Sequence, residues 1–121
     1  MKRLLILFAA IAGFSISSFA EKDYEVLWVL NNKSTFNTVT DYVQASPNQQ
    51  ALMKNIFYDS AEKLKDALIE NDQQAAEKAL YFNLVNVKSV LTVDQYKKYL
   101  TILNVTIHNQ QDKYLALSKN K

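Results

Sequence analysis

This chain has almost nothing with which to turn sharply. Its only glycine is Gly13 and its only proline is Pro47. Tight two-residue hairpin turns draw on Gly or Asn-Gly, and loops that cradle phosphate need Gly for close backbone approach. Both devices are missing. The expectation is therefore an all-α chain whose helices are joined by Asn, Asp, Ser and Thr. Cysteine is also absent, so no disulfide can staple the fold and packing must hold it.

The first twenty residues read as a separate object. Lys2 and Arg3 precede an apolar run from Leu4 to Phe14, and Ser18-Phe19-Ala20 places small residues ahead of Glu21. The run is short for a bilayer span and has the pattern of a secretory signal. Residues 1–20 are expected to be a cleaved signal peptide, and residues 21–121 a single helical domain. An uncleaved membrane anchor is the less favoured alternative. The expected location is periplasmic or secreted, and a lipoprotein is excluded for want of a cysteine. Lys2 and Arg3 leave with the leader, so of 14 basic side chains 12 face 12 acidic ones. A nucleic-acid binder needs a clustered basic surface. Lys97-Lys98 is the only basic pair of note, and it suits a solvated helix face. Nucleic acid is not an expected partner.

Helical signals follow in order. Asp23 to Asn32 (DYEVLWVLNN) groups Tyr24, Leu27 and Trp28, although a continuous apolar run also suits a strand. Asn31-Asn32-Lys33 reads as a break, after which Ser34 is placed as the cap of a short helix carrying Phe36, Val39 and Val43. Ser46-Pro47-Asn48-Gln49 is a capping box with proline at the first helical position. That helix should run to about Glu70, with Met53, Phe57, Ala61, Leu64 and Leu68 as its stripe and Leu52, Ile56 and Ala67 widening it.

Asp72 should cap the next helix, where Ala76, Leu80, Leu84, Val87 and Leu91 recur at helical spacing. Its apolar circumference predicts a central helix in an antiparallel hairpin with the one before. Thr92 and Gln95 form a second capping box ahead of Tyr96, Leu100, Leu103 and Ile107. The tail from Asn109 is polar apart from Tyr114-Leu115-Ala116-Leu117, and residues 118–121 are expected to fray. The architecture expected is a small bundle or hairpin cradle of four to five helices.

Chemistry is scarce. His108 is the single histidine, so no zinc set of nitrogen and sulfur ligands can form. It is read as a charge near a helix C-terminus. The row Asp59, Glu62, Asp66 and Glu70 lies on one helix rather than in a loop that wraps calcium, and Lys63 offsets it. No serine sits in a strained nucleophile elbow. The expectation is a non-enzymatic protein without cofactor or metal, a small hydrolase using His108 being the disfavoured alternative.

Aromatic residues are plentiful. The ordinary reading is core plus tyrosines with wet tips. The functional alternative is a groove rimmed by Tyr58, Tyr81, Tyr96 and Tyr99 that holds extended polypeptide. Asn83, Asn86 and Asn104 lie on apolar helix surfaces and, if buried, must be satisfied; bonds across the helix seam would fix register. Asn32-Lys33-Ser34 and Asn104-Val105-Thr106 have the N-glycosylation pattern, which a bacterial-type leader makes moot. Asp59-Ser60-Ala61 matches a bacterial O-glycosylation acceptor in three letters.

Two stretches share one logic. Ala45-Ser46-Pro47-Asn48-Gln49 and Leu91-Thr92-Val93-Asp94-Gln95 both open a long helix with Ser/Thr-x-x-Gln. The second is a full LTxxQ, and the chain resembles the Spy/CpxP family of small periplasmic helical proteins, which carry two such motifs. The resemblance implies ATP-independent chaperone or envelope-stress regulatory activity, a protein partner and a cradle-shaped homodimer. The chain departs from the family where Ala45 replaces the first Leu, where the processed charge is neutral, and where Met53 is the only Met after the leader. The run FNLVNVKSVLTVDQYKKYLTILNVT is also similar to small exported helical proteins of unknown function from Gram-negative bacteria.

The reading is thus a chaperone-like or regulatory protein of the cell envelope that binds an unfolded client or a specific partner. The alternative is an interaction subunit that docks one folded partner through an apolar patch. Edman sequencing of exported material should begin at Glu21, and a retained Met1 would overturn the leader assignment.

Overall fold

The computed structural model describes residues 24–119, with side chains placed for residues 24–109. The expected leader lies outside the described residues, as do residues 120–121 and the side chains of Tyr114-Leu115-Ala116-Leu117. Five helices follow one another: α1 (Val26–Val29), α2 (Lys33–Val43), α3 (Pro47–Ile69), α4 (Gln73–Val90) and α5 (Val93–Lys119). No strand occurs among the described residues. The fold is the all-α bundle expected.

Each start has a local cause. Ser46 Oγ accepts from Gln49 N at 3.2 Å while Gln49 Oε1 accepts from Ser46 N at 2.9 Å, and Pro47 occupies the first turn. Asp72 accepts from Ala75 N at 3.1 Å. Thr92 Oγ1 accepts from Gln95 N at 3.2 Å, and Gln95 Oε1 accepts from Thr92 N at 2.9 Å. At α2 the cap is Asn32, whose Oδ1 accepts from Ser34 N at 3.0 Å. Ser34 was expected there, but Asn32 is the residue with extended backbone, and Ser34 lies inside the first turn, where its own N–H is one of the orphan donors that Asn32 satisfies. The expected helix over 23–32 shrinks to Val26–Val29, because Asn31 and Asn32 turn the chain toward α2.

The helix ends pay for the lack of glycine. Gln44, at the end of α2, has φ 56°, and Asn71, between α3 and α4, has φ 53°. Asn tolerates this left-handed region through local hydrogen bonding, whereas a longer side chain costs about 1–2 kcal/mol there.

One apolar cluster joins all five helices. α3 and α4 pack as the antiparallel hairpin that their stripes predicted. α2 lies on α5, and α1 touches both α3 and α5. Met53, Phe57, Leu64 and Ala67 of α3 and Ala76, Leu80, Leu84 and Val87 of α4 are buried.

Three expectations are corrected. Leu52 does not widen the α3 stripe but is 51 % exposed, since one step around a helix from Met53 turns a side chain by about 100°. α4 is not enclosed all round, because Val85 is exposed and Tyr81, Phe82 and Val90 are only half-buried. α5 extends to Lys119, so His108 sits within a helix rather than at its end.

Gln44→Gly should remove left-handed strain while keeping the carbonyl, and raise stability by about 0.5–1 kcal/mol against the added freedom of the unfolded chain. Chemical denaturation read by circular dichroism would show it as a higher midpoint at unchanged slope.

Candidate functional site

The two capping boxes meet. Gln49 Nε2 donates to Gln95 Oε1 at 2.8 Å, and Gln95 Nε2 donates to Gln49 Oε1 at 3.0 Å. Each amide has a second donation to the chain before the other helix: Gln49 Nε2 to the Val90 carbonyl at 3.1 Å, and Gln95 Nε2 to the Gln44 carbonyl at 3.2 Å. Each Oε1 also takes the N–H of its own cap residue. Every donor and both acceptor oxygens of the two amides are thereby engaged. The orientation of each amide is over-determined, because a flip would set an NH₂ against a cap N–H.

This arrangement answers an electrostatic problem. The N-termini of α3 and α5 lie side by side, and each carries a partial positive charge. Two amide oxygens and two loop carbonyls fill the space between them. Glutamate also completes a capping box, but it has no donor for the opposite loop. A pair of glutamates would set like charges together. Gln is the residue that can close its own cap and hold the other helix.

The correspondence extends beyond the caps. Gln49 and Gln95 are 46 positions apart, and the same interval relates Gln44 to Val90 as carbonyl acceptors, and Ser46 to Thr92. It relates buried Met53 to buried Tyr99, and buried Phe57 to buried Leu103. It also relates the Ser60 Oγ bond to the Ile56 carbonyl, 2.6 Å, to the Thr106 Oγ1 bond to the Ile102 carbonyl, 2.7 Å. Two helix–cap–helix units are folded against each other in one chain.

Behind the caps runs a buried polar line. Tyr99 Oη donates to Asn83 Oδ1 at 2.5 Å, and Asn83 Nδ2 donates to Ser60 Oγ at 3.3 Å. It ties α3, α4 and α5 together at fixed register. Phe57 and Tyr96 flank Tyr99, with ring centroids at 6.0 and 6.3 Å. Burial raises the Tyr99 phenol far above its usual range, the neighbouring Tyr96 adds to this, and the Asn83 bond opposes it. Burial alone raises Tyr96, whose Oη is buried without a hydrogen-bond partner. Both phenols stay neutral in the folded protein.

Of the tyrosines expected to rim a groove, Tyr96 and Tyr99 are therefore interior and cannot meet a partner. Their helical spacing fitted a core stripe as well as a rim, and packing chose the core. Tyr58 is exposed and Tyr81 half-buried. Ser60 is fully buried and bonded, which removes Asp59-Ser60-Ala61 as a glycan acceptor. Asn83 is the buried, satisfied asparagine of the three expected; Asn86 bonds the Phe82 carbonyl of its own helix, and Asn104 accepts at 3.0 Å through its carbonyl from the exposed His108 ring. No set of three or more His, Asp or Glu that could hold a metal occurs among the described residues. No described helix is long and apolar enough to cross a membrane.

The element that sequence reading missed is the role of α1. The segment 24–30 that contains α1 buries Tyr24, Val26, Leu27 and Leu30. Trp28 Nε1 donates to the Ala61 carbonyl at 3.2 Å, and Asn31 Nδ2 donates to the Phe57 carbonyl at 2.9 Å. Burying those four side chains contributes roughly 6–12 kcal/mol. Ordering residues 24–30 costs roughly 7–14 kcal/mol in backbone entropy. The terms nearly offset.

Compared with protein-family models, curated proteins and solved structures, the chain matches none.

The clasp has a clear thermodynamic signature. Gln49→Ala and Gln95→Ala should each destabilise by about 1–3 kcal/mol, with a coupling of about 0.5–3 kcal/mol in the double-mutant cycle. Thr92→Ala should cost about 1 kcal/mol. Urea denaturation of the four cycle members measures the coupling, and strict additivity would refute the clasp.

Proposed function

We propose that this is an exported, non-enzymatic helical protein that binds polypeptide in the cell envelope, as a chaperone-like or regulatory protein. One observation carries the reading. The two Ser/Thr-x-x-Gln boxes that resemble the Spy/CpxP motifs form one interlocked structure. A capping box needs only its own helix, and Glu serves it as well as Gln. The cross-helix bonds supply a reason for Gln at both places that local capping does not.

Two further features support polypeptide as the ligand. Large apolar side chains stand on the outer faces of several helices, with Leu52 51 % and Tyr58 60 % exposed. The processed chain is neutral, so contact with a client rests on apolar surface rather than on long-range steering. Tyr58 and Tyr81 are the two members of the expected aromatic set that still reach solvent.

The test is a light-scattering assay of reduced insulin, whose B chain aggregates once its disulfides are cut. Dithiothreitol leaves this protein untouched because it has no cysteine. Suppression at a small molar excess without ATP is the expected result. No suppression at several-fold excess would reject the holding activity, and the isolation of one stoichiometric folded partner would favour the docking-subunit reading instead.

A further inference from the structure

We propose that α1 is an intramolecular occupant of the polypeptide-binding seam between α3 and α5, and that an apolar helical segment of a non-native polypeptide takes its place. The inference deepens the holding activity proposed above and rests on it.

The occupant seen in the structure shows the chemistry that the seam accepts. α1 is a helix of 4 residues with no side-chain cap at its start. Isolated helices of that length do not persist in water, so the seam itself holds α1 helical. It contacts α3 and α5 together. Leu27 and Leu30 have no exposed surface, and Tyr24 and Val26 have almost none. On the receiving side, α3 and α5 contribute Phe57, Leu64, Leu103 and Ile107 to the same apolar cluster.

Two polar contacts add direction. The indole N–H of Trp28 and the amide of Asn31 reach main-chain carbonyls of α3, those of Ala61 and Phe57. A carbonyl has two lone pairs, so each can keep its helical bond and still receive a donor from a bound segment. The recognition is therefore of apolar side chains with one or two N–H donors beside them. Any unfolded chain supplies such segments, and no particular sequence is required.

The rest of the fold lets α1 leave. The Asn32 side chain caps α2 on its own by accepting from Ser34 N, and the main-chain tie from that cap back to α1 is the Asn32 N–H to the Val29 carbonyl at 2.9 Å. The Gln49–Gln95 clasp and the Ser60–Asn83–Tyr99 line contain no α1 residue. Departure of α1 thus uncovers an apolar seam while the ties among α3, α4 and α5 stay in place.

Trp28 is the only tryptophan in the chain, and insulin has none. Tryptophan emission therefore reports α1 alone during the insulin assay. Trp28 is 40 % exposed while α1 is docked, so client binding should give only a small red shift but a clear rise in acrylamide quenching as the indole leaves the Ala61 carbonyl. Leu27→Ser with Asn31→Ala should loosen α1 and suppress aggregation at a several-fold lower protein concentration. A synthetic peptide of residues 23–32 should bind this double variant and compete with the client. Trp28→Cys with Ala61→Cys, joined by a short bis-maleimide, should pin α1 and remove most of the suppression.

Suppression with unchanged acrylamide quenching, or a pinned protein as active as the wild type, overturns the α1 proposal and leaves the holding activity standing. Absence of suppression by wild type and loosened variant alike overturns the holding activity. In that case peptide binding by the loosened variant still decides the seam: no binding overturns it, and saturable binding upholds it. Should the loosened variant lose its helical circular dichroism, the pinned protein carries the test alone.

Discussion

The bundle depends on how two helix N-termini are brought together. α3 and α5 each begin with four backbone N–H groups that have no partner inside the helix, and their dipoles repel at close range. Side-chain amides settle both matters at once. Gln49 and Gln95 accept from their own caps and donate across to the other helix and to the loop ahead of it. The Gln44 and Val90 carbonyls, which end the preceding helices, are consumed in the same place. The start of one unit is thereby welded to the end of the other.

Several features follow from that weld. Tyr99 comes alongside Phe57 because their helices start together, and Asn83 then bridges Tyr99 and Ser60. A buried polar line of this kind is stable only when each member is satisfied. Left-handed Gln44 turns its carbonyl toward Gln95, so backbone strain at a residue that is not glycine is offset by a bond at the clasp. α1 stands apart from all of this, held mainly by apolar burial that its ordering entropy nearly cancels.

The polypeptide-binding reading fits this division of labour. A holding protein needs a frame that does not unfold when its surface is engaged, together with apolar surface that can be covered and uncovered. The clasp and the polar line tie the frame at fixed register. On that reading α1, a short helix outside the clasp and the polar line, is the part whose exchange disturbs the frame least. The exposed Leu52 and Tyr58 extend the apolar surface on α3.

Local chemistry was legible in the letters alone. The want of glycine and cysteine, the apolar spacing of α3 to α5, and the caps at Ser46, Asp72 and Thr92 are set by neighbours within four residues, so a linear reading recovers them. So was the 46-residue echo between the two boxes, though not its meaning. Tertiary structure decided what depends on residues far apart in sequence: that Gln49 and Gln95 bond each other, that Tyr96 and Tyr99 face the core while Leu52 and Tyr58 face water, and that Asn83 is buried with partners on two other helices. Helical period places a side chain on a face, but only the packing of the other helices determines whether that face is covered.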